Sequence, residues 1–393
     1  MNYRELLTTY PLIRKLSIVQ FIAYFGAWFS NVAIYSMLVD YGASSFLIAL
    51  VTAMHFLPAV LIAPFSGAFI DTIKLKSLMV ILLCIELCMT LLFLTITSID
   101  EVWFLMMLIF IRMGAASMFF SAEMTLIPKL ISGEALQKAN EIHSIIWSFT
   151  YAAGMAISGI IVNYWGTQIA FIIDASFFVF ALIALFSIQF EVEIHATKDK
   201  MFVMIREGFF YIKENKIIIH LILLHSSVGL TAFDTLVTLL ADYNYKLVIA
   251  VPLSIGISNA VRAFALMVGP FFIGNKINKD NLHYLLILQG VAIISWALFQ
   301  HNFYLALFGL FLSGFSTTTL WSYTYAILQK KIEPKYMGRV IAYNDMIFML
   351  TNIITTLFIG LMASLISLDI ITIIIGCAFF AMAYYYIRIK HWI

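Results

Sequence analysis

The sequence predicts an all-α membrane protein with twelve transmembrane helices in two pseudo-symmetric six-helix bundles. Three observations predict it: extreme apolar composition, regular recurrence of long apolar runs, and one-sided positive charge. Of 393 residues, 63% are hydrophobic and only 11% are charged, with a mean hydropathy of +0.99. A soluble chain carries about a quarter charged residues, and a soluble core of this size could not hide so much apolar surface. The bilayer must be the solvent.

A spanning helix needs ~20 mostly apolar residues. Cutting at charged or turn-rich breaks gives six runs at about 17–40, 44–70, 77–98, 101–125, 142–164 and 168–189. Six more follow at about 216–240, 251–274, 282–300, 302–327, 340–366 and 370–388. Pro58 and Pro64 in span two read as kinks, because proline removes an intrahelical hydrogen bond. The longest polar break divides the chain into a bundle over 1–190, a linker over 191–215 and a second bundle over 216–393.

Charge then sets orientation. Of the 23 Lys and Arg, twenty fall on the side of the two termini, Lys246 alone falls on the other, and Arg112 and Arg262 lie inside spans. The expectation is that both termini and the linker are cytoplasmic.

Several function classes are excluded at this stage. A net charge of +2 gives no basic field for nucleic acid. Cys84, Cys88 and Cys377 sit in apolar runs and form no disulfide framework. The first apolar run is too long for a signal-peptide core, so no removable targeting segment is expected. Cys84 and Cys88 share a helix face but read as small apolar residues, and no His-x-x-x-His or Cys-x-x-Cys pair exists. His55 and His225 could meet on a transition metal only through tertiary structure. No metal site and no cofactor are expected. No phosphate-binding loop is present, so energy must come from a gradient. No nucleophile–base pair or metal triad occupies one depth, which argues against an enzyme.

An internal repeat supports the division into halves. Pro64-Phe65 recurs as Pro270-Phe271 and Pro128-Lys129 as Pro334-Lys335, both at an offset of 206 residues. The first pair is placed late in the second span of each half, the second in the loop after each fourth span. Two parallel six-helix halves suit a rocking-bundle transporter.

Four stretches carry a family likeness. After span two, Gly67-Ala68-Phe69-Ile70-Asp71 is followed by Lys74 and Lys76. Span four carries Arg112 and Gly114, then Ser121-Ala122-Glu123 and Leu126-Ile127-Pro128-Lys129-Leu130, with Ala139-Asn140 after it. Span six opens with Ala170-Phe171-Ile172-Ile173-Asp174-Ala175-Ser176-Phe177. After span ten come Gln329 through Pro334 and Gly338-Arg339-Val340. Taken together, these resemble the major facilitator superfamily, and within it the branch of the enterobactin exporter and macrolide-efflux proteins. Thr72 stands where that family's loop carries Arg. Span five has Gly154 and Gly159 among small residues, but not the proline of the exporters' signature there.

The resemblance implies the major facilitator fold, with spans one, four, seven and ten lining a central cavity. That puts Asn31, Arg112, His225 and Asp234 near substrate, with His55 and Arg262 on flanking spans. Ionisable groups within spans are costly and are functional candidates by default. Glu86 in span three must turn inward, and pairing with Arg112 on the next helix is the cheapest solution. That pair reads equally as a structural ion pair or a proton-coupling site, and Asp234 with Arg262 forms a similar candidate. Asp71, just past a helix end with Gly67 one turn earlier, can accept hydrogen bonds from a neighbouring helix N-terminus. Gly338 and Arg339 can do the corresponding job in the second half, so these four form a candidate cytoplasmic gate. Lys74 and Lys76 read as topogenic charge, and His143 and His220 as interfacial. Trp28, Trp147, Tyr151 and Trp321 suit a flat or lipophilic substrate, although most such rings serve packing or lipid contact.

The expected function is secondary active transport, namely proton-coupled efflux of a drug-like compound or siderophore by alternating access. Alternatives are an exporter of a transition-metal ion or chelate, or a small-molecule importer of the same fold. The expected partners are substrate, protons and lipid, without nucleic acid. The expected state is a monomer in the bacterial inner membrane.

Overall fold

The computed structural model describes residues 2–70, 73–190 and 201–393. All regular structure among the described residues is helical. Eleven helical runs are long and apolar enough to cross a membrane. One of them, Gly133–Phe186, has 54 residues and breaks at Gly166, with φ 83° and ψ 171°. At 1.5 Å per residue that run would extend ~80 Å, more than twice a bilayer core. It is therefore two spans joined at a residue that only glycine adopts without strain, which makes twelve.

The spans follow the sequence cuts closely, with instructive breaks. Span one is Pro11–Asp40, opened by a proline at its first position, where the missing N–H costs nothing. Span two is split into Ser45–Ala53 and Leu57–Ile70. Pro58 cannot donate to the carbonyl of Met54, four residues back, and the helix opens there. Spans three and four are Leu75–Leu92 and Val102–Leu130. Pro128 lies inside the last turn of span four rather than in the loop after it, whereas Pro334 opens a separate short turn, Pro334–Tyr336. The recurring Pro-Lys pairs are thus not at equivalent places. Pro270, by contrast, does lie one turn from the end of span eight, Val251–Ile273.

Span seven runs as Lys216–Ser226, a tight turn Ser227–Thr231, then Asp234–Leu240. Span nine is Leu282–Phe299, and span ten is Phe303–Phe315 continued by Thr317–Lys331. Spans eleven and twelve are Met337–Met362 and Leu368–Ile389. Two further helices, Tyr3–Thr9 and Met201–Glu214, lie outside the spans.

The chain divides into two compact units. One comprises Met1–Gly42 and Phe65–Lys198, the other Ala43–Pro64 and Asp199–Ile393. In the first, Val19, Met79, Leu82, Leu83, Phe119 and Phe178 form an apolar core shared by spans one, three, four and six. In the second, spans nine and twelve pack lengthwise, and the first half of span two packs on span eleven. Gly360 there leaves room for Ala49, and the Ser45 hydroxyl donates to the Gly360 carbonyl at 3.0 Å. Small residues and interhelical hydrogen bonds of this kind hold helices together where lipid removes the hydrophobic driving force.

Candidate functional site

The first unit buries a connected set of charges. Arg112, about a third of the way along span four, is 2% exposed, and Asp174 in span six is fully buried. The Arg112 Nη2 donates to the Asp174 Oδ2 at 2.9 Å and to the Gly26 carbonyl of span one at 3.3 Å. The Phe93 and Phe178 rings flank the guanidinium, with centroids at 5.6 and 5.3 Å. The Ser30 hydroxyl donates to the same Asp174 oxygen. Gly26 is required by close approach, since a Cβ there would stand 2.7 Å from Asp174 Oδ1.

This corrects the pairing expected from sequence. Glu86 is buried, yet no hydrogen bond or ion pair holds it among the described residues. It feels the Arg112 and Asp174 charges only through space. The physical reason is reach. Asp174 lies across the bundle from span four and presents a short side chain directly to the guanidinium, with Gly26 and Ser30 completing its shell. Adjacency in sequence favoured the neighbouring helix, but helices far apart in sequence meet inside a bundle. The motif around Asp174 carried a signal, although the residue itself was not among the site candidates.

A second polar cluster occupies the opposite half of span one, and sequence reasoning missed it. The Tyr24 hydroxyl donates to Glu123 at 2.9 Å, and Gln20 hydrogen-bonds His143. All four side chains are buried. A cavity of about 10 Å³ touches Gln20 and Glu123, room for about one water. His143 is thus interior rather than interfacial. The available signal was spacing, since Gln20 and Tyr24 lie one turn apart on span one.

The second unit holds His225, fully buried, with its Nδ1 2.9 Å from the Thr324 hydroxyl. Asp234 and Arg262 lie close enough to interact through space but form no ion pair. Arg262 donates instead to the Thr231 carbonyl at 2.5 Å and covers the Phe233 ring. The turn Ser227–Thr231 frees that carbonyl from helical bonding and so supplies an acceptor. His55 sits at the break in span two with its Nδ1 3.3 Å from the Val51 carbonyl. Asn31 is buried in span one. His220 is half-buried, with the Tyr385 hydroxyl at 2.5 Å.

Of the gate candidates, Gly67 lies in the helix Leu57–Ile70, and Asp71 lies outside the described residues. Gly338 has open space around it. Arg339 pairs with Glu207 at 2.5 Å and so ties the helix Met201–Glu214 to the start of span eleven. Among the described residues, no group of three His, Cys, Asp or Glu could hold a metal ion.

Curated protein sequences returned no match. The nucleoside transporter NupG has a similar structure, with a TM-score of 0.75 at 14% identity over 96% of this chain and 98% of that one. A bacterial homologue of the human lysosomal transporter Spinster, inward-facing and unoccupied, gives 0.73 at 12% identity over 100% and 96%. The peptide transporter POT gives 0.74 at 10% identity over 99% and 98%. At such identities the likeness establishes the fold. The sequence itself matches the Major Facilitator Superfamily over residues 16–342, and to that family the chain belongs.

Proposed function

We propose that this chain is a secondary active transporter that couples proton movement to export of a small organic molecule by alternating access. The observation that carries the reading is the buried charge set of the first unit. Arg112 and Asp174 neutralise each other, while Glu86 near them and Glu123 in the second cluster are buried without a cation in hydrogen-bond contact among the described residues. Charged groups inside a bundle cost several kcal/mol, and apolar residues would fill the space at lower cost. Groups retained at such cost are candidates to bind and release protons as water access changes.

In this reading Glu86 is the proton carrier and Arg112–Asp174 is the fixed charge beside it. Asn31, His55, His225, Asp234 and Arg262 are candidates for the substrate path, and Gly67, Asp71, Gly338 and Arg339 for the gate. The membrane in this reading is the bacterial inner membrane with both termini cytoplasmic, and the resemblance to exporters supports the outward direction. Proteoliposomes with an imposed pH gradient test the reading when screened over dyes, macrolides, siderophores and divalent metals. Gradient-driven movement of an organic compound out of the cytoplasm-equivalent compartment supports it. Movement of metals alone, or only in the opposite sense, overturns it.

A further inference from the structure

The second unit carries an unpaired carboxylate beside a set of aromatic rings. Asp345 lies eight residues into the helix Met337–Met362, about 12 Å from its start. Its described hydrogen-bond donor is Asn344 Nδ2 at 3.1 Å, and the Tyr325 hydroxyl also lies beside it. No Lys, Arg or His among the described residues forms an ion pair with it. Tyr325 stacks on Trp321, one turn back on the helix Thr317–Lys331, with centroids 4.9 Å apart and planes at 20°. Phe348 follows Asp345 by three residues and so shares its helix face. His225 closes the floor, with its ring 5.1 Å from Tyr325 and 5.5 Å from both Trp321 and Phe348. The His225 Nε2 has no partner among the described residues.

The patch is accessible within its unit. Trp321 is 38% exposed, and Tyr325, Asp345 and Phe348 are half-buried. It is not a lipid-facing surface, because a carboxylate turned to hydrocarbon at that depth is costly. The helix beneath agrees, with seven hydroxyl-bearing residues among its 15. Such a helix faces water or protein.

We propose that Asp345, Tyr325, Trp321 and Phe348 form a binding site for a monovalent organic cation that carries an aromatic ring. The carboxylate has no cationic partner among the described residues, and the rings present π-faces that attract one. The stacked Trp–Tyr pair offers a flat surface for a second ring. A metal ion does not fit, since among the described residues no three His, Cys, Asp or Glu side chains come together there. An anion would meet Asp345 directly. The inference rests on the reading that the chain transports a small organic molecule, and it names the class of that molecule.

The test is equilibrium binding of radiolabelled tetraphenylphosphonium to the intact purified protein in detergent, with no gradient imposed. Saturable binding is expected, displaced by benzyltrimethylammonium, at least about tenfold less well by ringless tetramethylammonium, and not by phenylacetate. Asp345→Asn should weaken binding at least about tenfold, which is ~1.4 kcal/mol, and Asp345→Glu should regain most of it. Trp321→Ala should lose about tenfold, whereas Trp321→Phe should stay within about threefold. Melting curves identify any variant that fails to fold, in which case the conservative pair decides. No saturable binding to folded wild type, or binding indifferent to Asp345→Asn, overturns the site. Binding through Asp345 without gradient-driven flux overturns the coupling reading alone. Flux of other compounds without tetraphenylphosphonium binding overturns the site alone.

Discussion

Neutralising Asp174 separates the pairing found here from the one that sequence order suggests. In Asp174→Asn, Arg112 keeps its charge at 2% exposure but retains only neutral acceptors, the Gly26 carbonyl and the new amide oxygen. Breaking a buried ion pair by removing one partner costs ~3–5 kcal/mol, because a lone charge is left behind. The retained acceptor argues for the lower end, about 3 kcal/mol. A domain of the first unit's size loses ~2–4 °C of Tm per kcal/mol, so the melting point should fall by roughly 6–12 °C. Glu86→Gln should move it by no more than about 2–4 °C, the equivalent of ~1 kcal/mol, because Glu86 leaves no ion pair behind. The double variant Asp174→Asn, Arg112→Gln should recover most of the loss, since no unpaired charge remains. The assay is thermal melting of the detergent-solubilised protein at fixed pH and ionic strength. Equal destabilisation by Glu86→Gln and Asp174→Asn would refute the reasoning and return Arg112 to a shared partnership.

Three further outcomes follow from the same geometry. Gly26→Ala places a methyl 2.7 Å from Asp174 Oδ1 and 3.3 Å from Phe177 Cβ, and should cost ~1–3 kcal/mol in the same melting assay; an unchanged melting point would show that span six can move aside. Glu207→Ala removes a partner that is 46% exposed, so stability should change by less than ~1 kcal/mol, while transport rate should change if Arg339 serves a gate; unchanged transport leaves that pair as a surface tie. In a background without Cys84, Cys88 and Cys377, cysteines placed at Lys213 and His391 should resist an impermeant thiol reagent in intact cells; efficient labelling would invert the proposed topology.

The fold was legible because lipid imposes simple rules. Span length is a one-dimensional property, so the sequence carries it directly. Even local breaks could be read: Pro58 opens span two, and the cut between 164 and 168 falls where Gly166 divides the run Gly133–Phe186. The site was legible only as a list of costly residues. Arg112, Glu86 and His225 announce themselves by charge or polarity inside apolar runs, but a partner depends on helix rotation and neighbour choice. Span one contacts span six through Gly26 and Ser30, a relation with no periodic signature. His143 was misplaced for a similar reason: its position near a helix end suggested the interface, whereas Gln20 and Tyr24 enclose it. Asp234 and Arg262 looked like a pair because they are opposite charges in successive spans, but the turn at Ser227–Thr231 offered Arg262 a nearer carbonyl.

The central claim is that proton movement is tied to movement of an organic solute, with Glu86 as carrier. Its most direct test is a pH-sensitive dye sealed inside proteoliposomes, followed as a transported compound is added without an imposed gradient. The account predicts that substrate moving one way drives protons the other way. It predicts further that Glu86→Gln, folded and still exchanging substrate, abolishes the proton signal. Substrate flux with no proton movement in the wild type, or an undiminished proton signal in Glu86→Gln, would contradict it.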